Sequence, residues 1–371
     1  TFTNAAFITF LPTDLSLPRI GVRQSSAARG SRTSADIDLY VSLDPDMTNL
    51  APATVAAASN SRSRGGTEQV VFSNSAAGDV YYLAVKSEDY MAAEFSIFGV
   101  FSEVPFGDQE GSVPCFNIPQ LIPDRTPDSV LGANNAARVV CPCVLEGEIR
   151  RVIATNVISH EHFGDVIGVL DHSGEGGDLF AVLNNHRPPP AQPASYGPYG
   201  FIYEDNGEGS IFPPVNPYNG LPYLLLPSDG PESLRGFVGE QRIGPWIFTY
   251  VDDSLTATGL VNFAALQIEK EDLSTNAAAR DVLPGGWLYN VINVPAGATN
   301  LEVCIAGNTQ PVELYVRRGA FPTRTQYDKF RVVGPPGGCL SLTPSDLPPL
   351  AAGRYFIGVY NSSPVLQTIQ V

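Results

Sequence analysis

The chain has 371 residues, a formal charge of -16 and 43% hydrophobic residues. That length suits several domains better than one core, and the apolar content excludes bulk disorder. The acidic balance disfavours nucleic acid as a partner, and no run of about eighteen apolar residues exists to cross a membrane as a helix.

Many Gly and Pro residues, 35 and 32 of them, punctuate short alternating apolar runs. This is the pattern of an all-β chain. Three consecutive β-sandwich domains of jelly-roll or Greek-key kind are expected. The first covers 1–102. It holds the strand-like runs Asp36 to Val41 and Tyr81 to Val85, with helical character only around Ala53 to Ala58. A Pro-rich linker follows at 103–127, with Pro105, Pro114, Pro119, Pro123 and Pro127.

The middle domain spans 128–269. Its strand-like runs are Arg151 to Ala154, Val166 to Leu170, Trp246 to Val251 and Leu260 to Ile268. It carries a long Pro/Tyr-rich insertion at 186–232, with five tyrosines and no lysine. A structureless loop of that length is unusual in a compact domain and is often functional. Tyrosine gives large contact area with a polar tip. Tyr199, Tyr203, Tyr218 and Tyr223 are therefore the expected contacts to another copy or a partner, the alternative being that the rings cover their own domain.

A second linker, 270–284, leads to the last domain, 285–371. There Glu313-Leu314-Tyr315-Val316 precedes Gly353 to Val359 at almost the spacing that separates Asp38-Leu39-Tyr40-Val41 from Gly78 to Val85. The preserved spacing indicates a duplicated domain.

Candidate chemistry is sparse. His160-Glu161-His162 would place two imidazoles on one face of a strand, with His172 or His186 as a third metal ligand; a structural role is the competing reading. No Gly-x-Ser-x-Gly elbow or other nucleophile motif occurs. Loop carboxylates separated by Gly are candidate Ca²⁺ ligands, with Asp165, Asp171 and Asp178 in the middle domain or Asp36 and Asp38 in the first. The bland reading of these carboxylates is Asx-turns and a solvated acidic surface, so no cofactor is required. Five cysteines allow a Cys304–Cys339 bridge and one from Cys115 to Cys141 or Cys143, as in an oxidising compartment. Thr1 in place of Met implies a processed N-terminus or a fragment.

Two resemblances add to this. Ile158-Ser159-His160 with Gly164-Asp165-Val166, then Phe237, Gly239-Glu240, Gly244-Pro245-Trp246, Asp252 and Gly259, resemble the proprotein-convertase P domain over Pro127 to Glu269. The chain departs from that pattern at Asp171-His172-Ser173-Gly174 and at Phe263-Ala264. The flanking sections resemble the bacterial pre-peptidase C-terminal (PPC) domain, through Asp36-Ile37-Asp38-Leu39-Tyr40-Val41 and, with one carboxylate lost, Pro311-Val312-Glu313-Leu314-Tyr315-Val316. The resemblances imply non-catalytic modules of a secreted or surface protein. The expected function is a non-catalytic extracellular or cell-surface protein that binds another surface protein or assembles with copies of itself into a layer or filament. The alternative is the C-terminal accessory region of a secreted subtilisin-type protease whose catalytic domain lies elsewhere.

Overall fold

The strictly alternating runs become the central strands of an all-β structure, seen here in a computed structural model. The structure describes residues 2–10, 13–14, 24–25, 35–63, 66–88, 90, 93, 95–107, 112–124, 136–174, 177–187, 197–209, 215–230, 232–274 and 277–371. Among the described residues no helix is long and apolar enough to cross a membrane. The chain forms two units: Thr1–Tyr203 with Val215–Ile268, and Glu204–Pro214 with Glu269–Val371.

In the first unit, strand Asn4–Phe10 lies between Glu68–Phe72 and Ser96–Ser102, antiparallel to both. A second sheet has Ile37–Ser42 between Ser59–Ser61 and Tyr82–Ser87. Phe7, Leu39, Val41 and Val70 close the core between them. On the opposite face of the first sheet, Ala6 and Val100 pack with Phe106, Phe116 and Val144. The expected first and middle sections are thereby joined, and the Arg138 guanidinium sits 5.1 Å over the Phe10 ring.

The middle section is a sandwich. One sheet runs Gln120–Ile122, Gly259–Lys270, Ile149–His160, Tyr199–Tyr203, Leu224–Leu226, with Ser112–Val113 also on Gly259–Lys270; the last pairing in the main path is parallel. The other runs Ala137–Cys143, Gly244–Asp252, Val166–Gly174, Gly177–Asn185. The largest core lies between them, built on Trp246, Phe163, Phe201, Phe237, Phe248, Tyr203 and Tyr250. A disulfide joins Cys115 to Cys141, and Cys143 is buried and belongs to no disulfide.

In the second unit, strands Trp287–Val294, Gly353–Tyr360, Val312–Arg318 and Lys329–Val333 form one sheet in that order. Leu301–Ala306 pairs with Gly337–Leu342, and the Cys304–Cys339 disulfide crosses that pair. Residues 204–209 leave the middle sandwich and pair here: the Gly209 amide donates to Asp281 O at 2.9 Å and the Trp287 amide to Asn206 O at 2.7 Å. A Cβ on Gly286 would lie 2.4 Å from Gly207 O, so only glycine admits this approach.

The repeated motifs adopt one register in both copies. Tyr40 stands opposite Ala84 and Leu39 opposite Val85; Tyr315 stands opposite Gly358 and Leu314 opposite Val359. In each copy the tyrosine hydroxyl donates to the carboxylate two residues earlier, Asp38 or Glu313, since period-two side chains share a face. Burial first, then that carboxylate, raises the Tyr315 pKa to about 12.

Candidate functional site

Three of the four histidines gather at one end of the middle sandwich, each facing an aspartate. Strand Ile149–His160 stops at His160, and the chain turns through Glu161 and His162 into the short 3-10 turn Phe163–Asp165. Phe163 anchors the turn by stacking on Phe201, with ring centres 5.0 Å apart. The strand-face pairing of His160 with His162 is therefore corrected: the turn carries His162 outward, with a side chain 70% exposed and 3.6 Å from the Asp165 carboxylate.

His160 is fully buried. Its Nδ1 accepts the His162 backbone N–H at 3.1 Å, which leaves the ring proton on Nε2, 3.3 Å from Asp252 Oδ2. Asp252 Oδ1 accepts the Ser254 amide at 2.9 Å. A Cβ on Gly259 would fall 2.2 Å from His160 Cδ2, so that glycine is the wall against which the ring packs. With Nδ1 occupied by the His162 amide and no exposure, His160 has no lone pair to offer a metal or substrate. Its chemistry is orientation: it ties the end of one sheet to the end of the other.

His186, with φ of 55°, places Nε2 at 2.9 Å from Asp253 Oδ2 and Nδ1 at 3.0 Å from Asn185 Oδ1. The Asp253 amide donates to Asp165 O at 3.2 Å, and the His186 amide to Val166 O at 3.3 Å, which draws the three pairs together. His172 lies elsewhere, stacked on Trp246 at 3.9 Å with its ring nitrogens facing Pro245 O and Gln241 O. It is not a third ligand.

The carboxylates do not converge. Among the described residues no three His, Cys, Asp or Glu side chains are grouped as metal ligands. Asp165 ends the 3-10 turn just ahead of strand Val166–Gly174 and Asp171 lies well along that strand, more than about 15 Å away at ~3.3 Å per strand residue, too far to share an ion. Asp171 acts on a buried guanidinium: burial lowers the Arg138 pKa to about 10 and Asp171 opposes the shift. Asp178 belongs to strand Gly177–Asn185, but its side chain lies outside the described residues. Asp38 is buried, accepts from Tyr40 at 3.0 Å, and has its pKa raised by burial; Asp36 is half-buried just ahead of the same strand.

The insertion is also corrected. Tyr199 and Tyr203 are core residues, 5% and 0% exposed, on a strand inside the sheet. They cannot anchor a partner. Tyr223 is half-buried across Gly200, where a Cβ would lie 2.9 Å from its ring. Tyr218 is 52% exposed, with its hydroxyl donating to Asn262 O at 2.8 Å. Near it in the chain Val215, Leu221 and Leu225 are exposed at 45%, 40% and 48%, apolar residues that a count of tyrosines missed. The remaining tyrosine of the insertion, Tyr196, lies outside the described residues.

No protein-family model and no curated protein matches the chain. Among solved structures, a candidate secreted protein from Parabacteroides distasonis aligns at TM-score 0.21 and 8% identity, over 70% of this chain and 87% of that one. A chain from the atomic structure of Sulfolobus turreted icosahedral virus aligns at TM-score 0.23 and 8% identity, over 100% of this chain and 78% of that one. At such scores neither likeness bears on fold or function.

Proposed function

We propose that the chain is a non-catalytic extracellular or cell-surface protein of β-sandwich modules, which acts by binding a partner or by assembling with copies of itself. The observation that carries this reading is the exposure of Val215, Tyr218, Leu221 and Leu225, on the turn closed by the Val215–Pro222 bridge and on strand Leu224–Leu226 that follows it. Apolar and aromatic side chains grouped at the surface mark interaction sites. Two disulfides support an oxidising compartment. The resemblance of 128–269 to the P domain, and of the flanking sections to PPC domains, points to the same setting. So does the complete burial of His160, whose Nδ1 is taken by the His162 amide.

The test is mass by light scattering, with electron microscopy, on the native protein and on a variant carrying Tyr218→Ala, Leu221→Ser and Leu225→Ser. The native protein should form oligomers or polymers that the variant loses at an unchanged melting temperature. A native protein that stays monomeric at high concentration, or a variant that assembles equally well, overturns the assembling form of the reading.

A further inference from the structure

In the four-stranded sheet of the second unit, Leu288, Val359, Leu314 and Val333 face the core. By the period of two the alternate residues face outward. The register sets them in two cross-strand rows: Trp287, Tyr360, Glu313 and Val332, then Tyr289, Gly358, Tyr315 and Phe330. The connection 319–328 folds over this face, with the Tyr289 hydroxyl donating to Pro322 O at 3.2 Å. Tyr289 and Tyr315 are buried, but Tyr327, Phe330 and Val332 stay 39%, 44% and 55% exposed. Phe330 lies within 20° of parallel to Tyr315 at 5.4 Å, and Tyr327 packs on both rings, at 5.3 Å from Tyr315 and 5.1 Å from Phe330. The exposed rings are thus held in place before anything binds.

A polar pair is set among these rings. Arg324 donates to the two Glu313 carboxylate oxygens at 3.0 and 3.1 Å, sits 4.8 Å over the Tyr360 ring, and has a side chain 56% exposed. The fold does not require a ring at position 330. In the first unit the residue opposite Tyr40, as Phe330 is opposite Tyr315, is the exposed Asn60. There Met47 and Ala58 pack on Tyr40. The aromatic surface is therefore particular to the second copy.

We propose that this face binds a neutral polysaccharide. The face of an aromatic ring is the negative side of its quadrupole. The C–H bonds that line one face of a pyranose are weakly positive, so sugar and ring stack while the hydroxyls project from the sugar's edge. Those hydroxyls can bond the Glu313–Arg324 pair. An apolar protein surface laid here would instead strip water from that pair and return no hydrogen bonds, which is costly. A net charge of -16 disfavours polyanionic glycans. The inference rests on the proposed binding role for the existence of a partner, and not on the surface around Tyr218.

The test is native affinity electrophoresis of the full chain in gels that hold hydroxyethylcellulose, laminarin, yeast mannan or galactomannan, with alginate as the anionic comparison. At least one neutral polymer should retard the chain, and more strongly than alginate does. Phe330→Leu keeps apolar bulk but removes the flat ring; it should weaken binding about tenfold at an unchanged melting temperature, whereas Phe330→Trp should bind at least as well as the native chain. Should Phe330→Leu lower the melting temperature, Tyr327→Ala decides instead, with the same loss expected. No retardation by any neutral polymer, equal or stronger retardation by alginate, or a folded variant of either kind that binds as well as the native chain overturns the proposal. So does a Phe330→Leu chain that loses self-association while the native chain takes no polymer, since the face is then a contact between copies. A chain that assembles through Tyr218 without taking a polysaccharide sinks only this proposal, and a monomer that takes one sinks only the assembling reading.

Discussion

Replacing Asp252 by Ala should destabilise the first unit through His160, and the size of the effect follows from what is left behind. In the native protein the fully buried His160 Nε2 lies 3.3 Å from Asp252 Oδ2. Its removal strands a buried N–H, which costs about 1–3 kcal/mol, and empties a small volume at the end of the core. A total of about 3 kcal/mol is expected from the stranded donor and the lost packing together. Replacing His160 by Phe should cost a similar amount by leaving the carboxylate without its donor. If the two side chains act as one unit, the double variant should be milder than the sum by about 1.5–3 kcal/mol. The two units need not unfold together, so the assay must report on one of them. The chain has two tryptophans, and Trp246 and Trp287 fall in different units. In a Trp287→Phe background the fluorescence of Trp246 follows the first unit alone during urea unfolding. Additivity within about 0.5 kcal/mol would show that the pair is not coupled and would refute this account of the site.

Three further outcomes are expected. Replacing Cys304 and Cys339 by Ser should cost the second unit about 4 kcal/mol, from the loop-closure entropy of a bridge separated by 35 residues, measured by urea unfolding with Trp287 as reporter. Glu68 is fully buried and held by Ser61 and Ser63 hydroxyls, and burial raises its pKa despite those hydrogen bonds. A raised folded pKa means that Glu68 favours folding below the unfolded carboxylate pKa and that this contribution fades as pH rises through the folded value. Glu68→Gln should accordingly raise the melting temperature at pH 7 and leave it nearly unchanged at pH 3.5; equal shifts at both pH values would contradict the buried-carboxyl reading. Finally, Tyr203→Ala should cost about 3–5 kcal/mol as a core truncation while Tyr218→Ala stays within about 0.5 kcal/mol, a contrast that thermal unfolding reads directly.

Much of the fold was legible because its signals are local. Alternation marked Arg151 to Ala154, Val166 to Leu170 and Trp246 to Val251 as strands, and each lies in one. The spacing of the repeat put Tyr40 and Tyr315 at equivalent register positions. The site was less legible. Two histidines one residue apart share a face only while the strand continues, and here the buried Phe163 turns the chain directly after His160. Tyr199, Phe201 and Tyr203 carry their own period-two signal, yet the surrounding prolines made the stretch look like an unstructured loop. What the sequence determined by itself was which segments are extended and which faces are apolar, because side-chain alternation and turn chemistry act over a few residues. Which faces meet was decided by tertiary structure alone. Residues 204–209 pair with the second unit because Gly207, Gly209 and Gly286 admit close backbone contact there. That pairing joins groups far apart in the chain, where no local pattern records the partner.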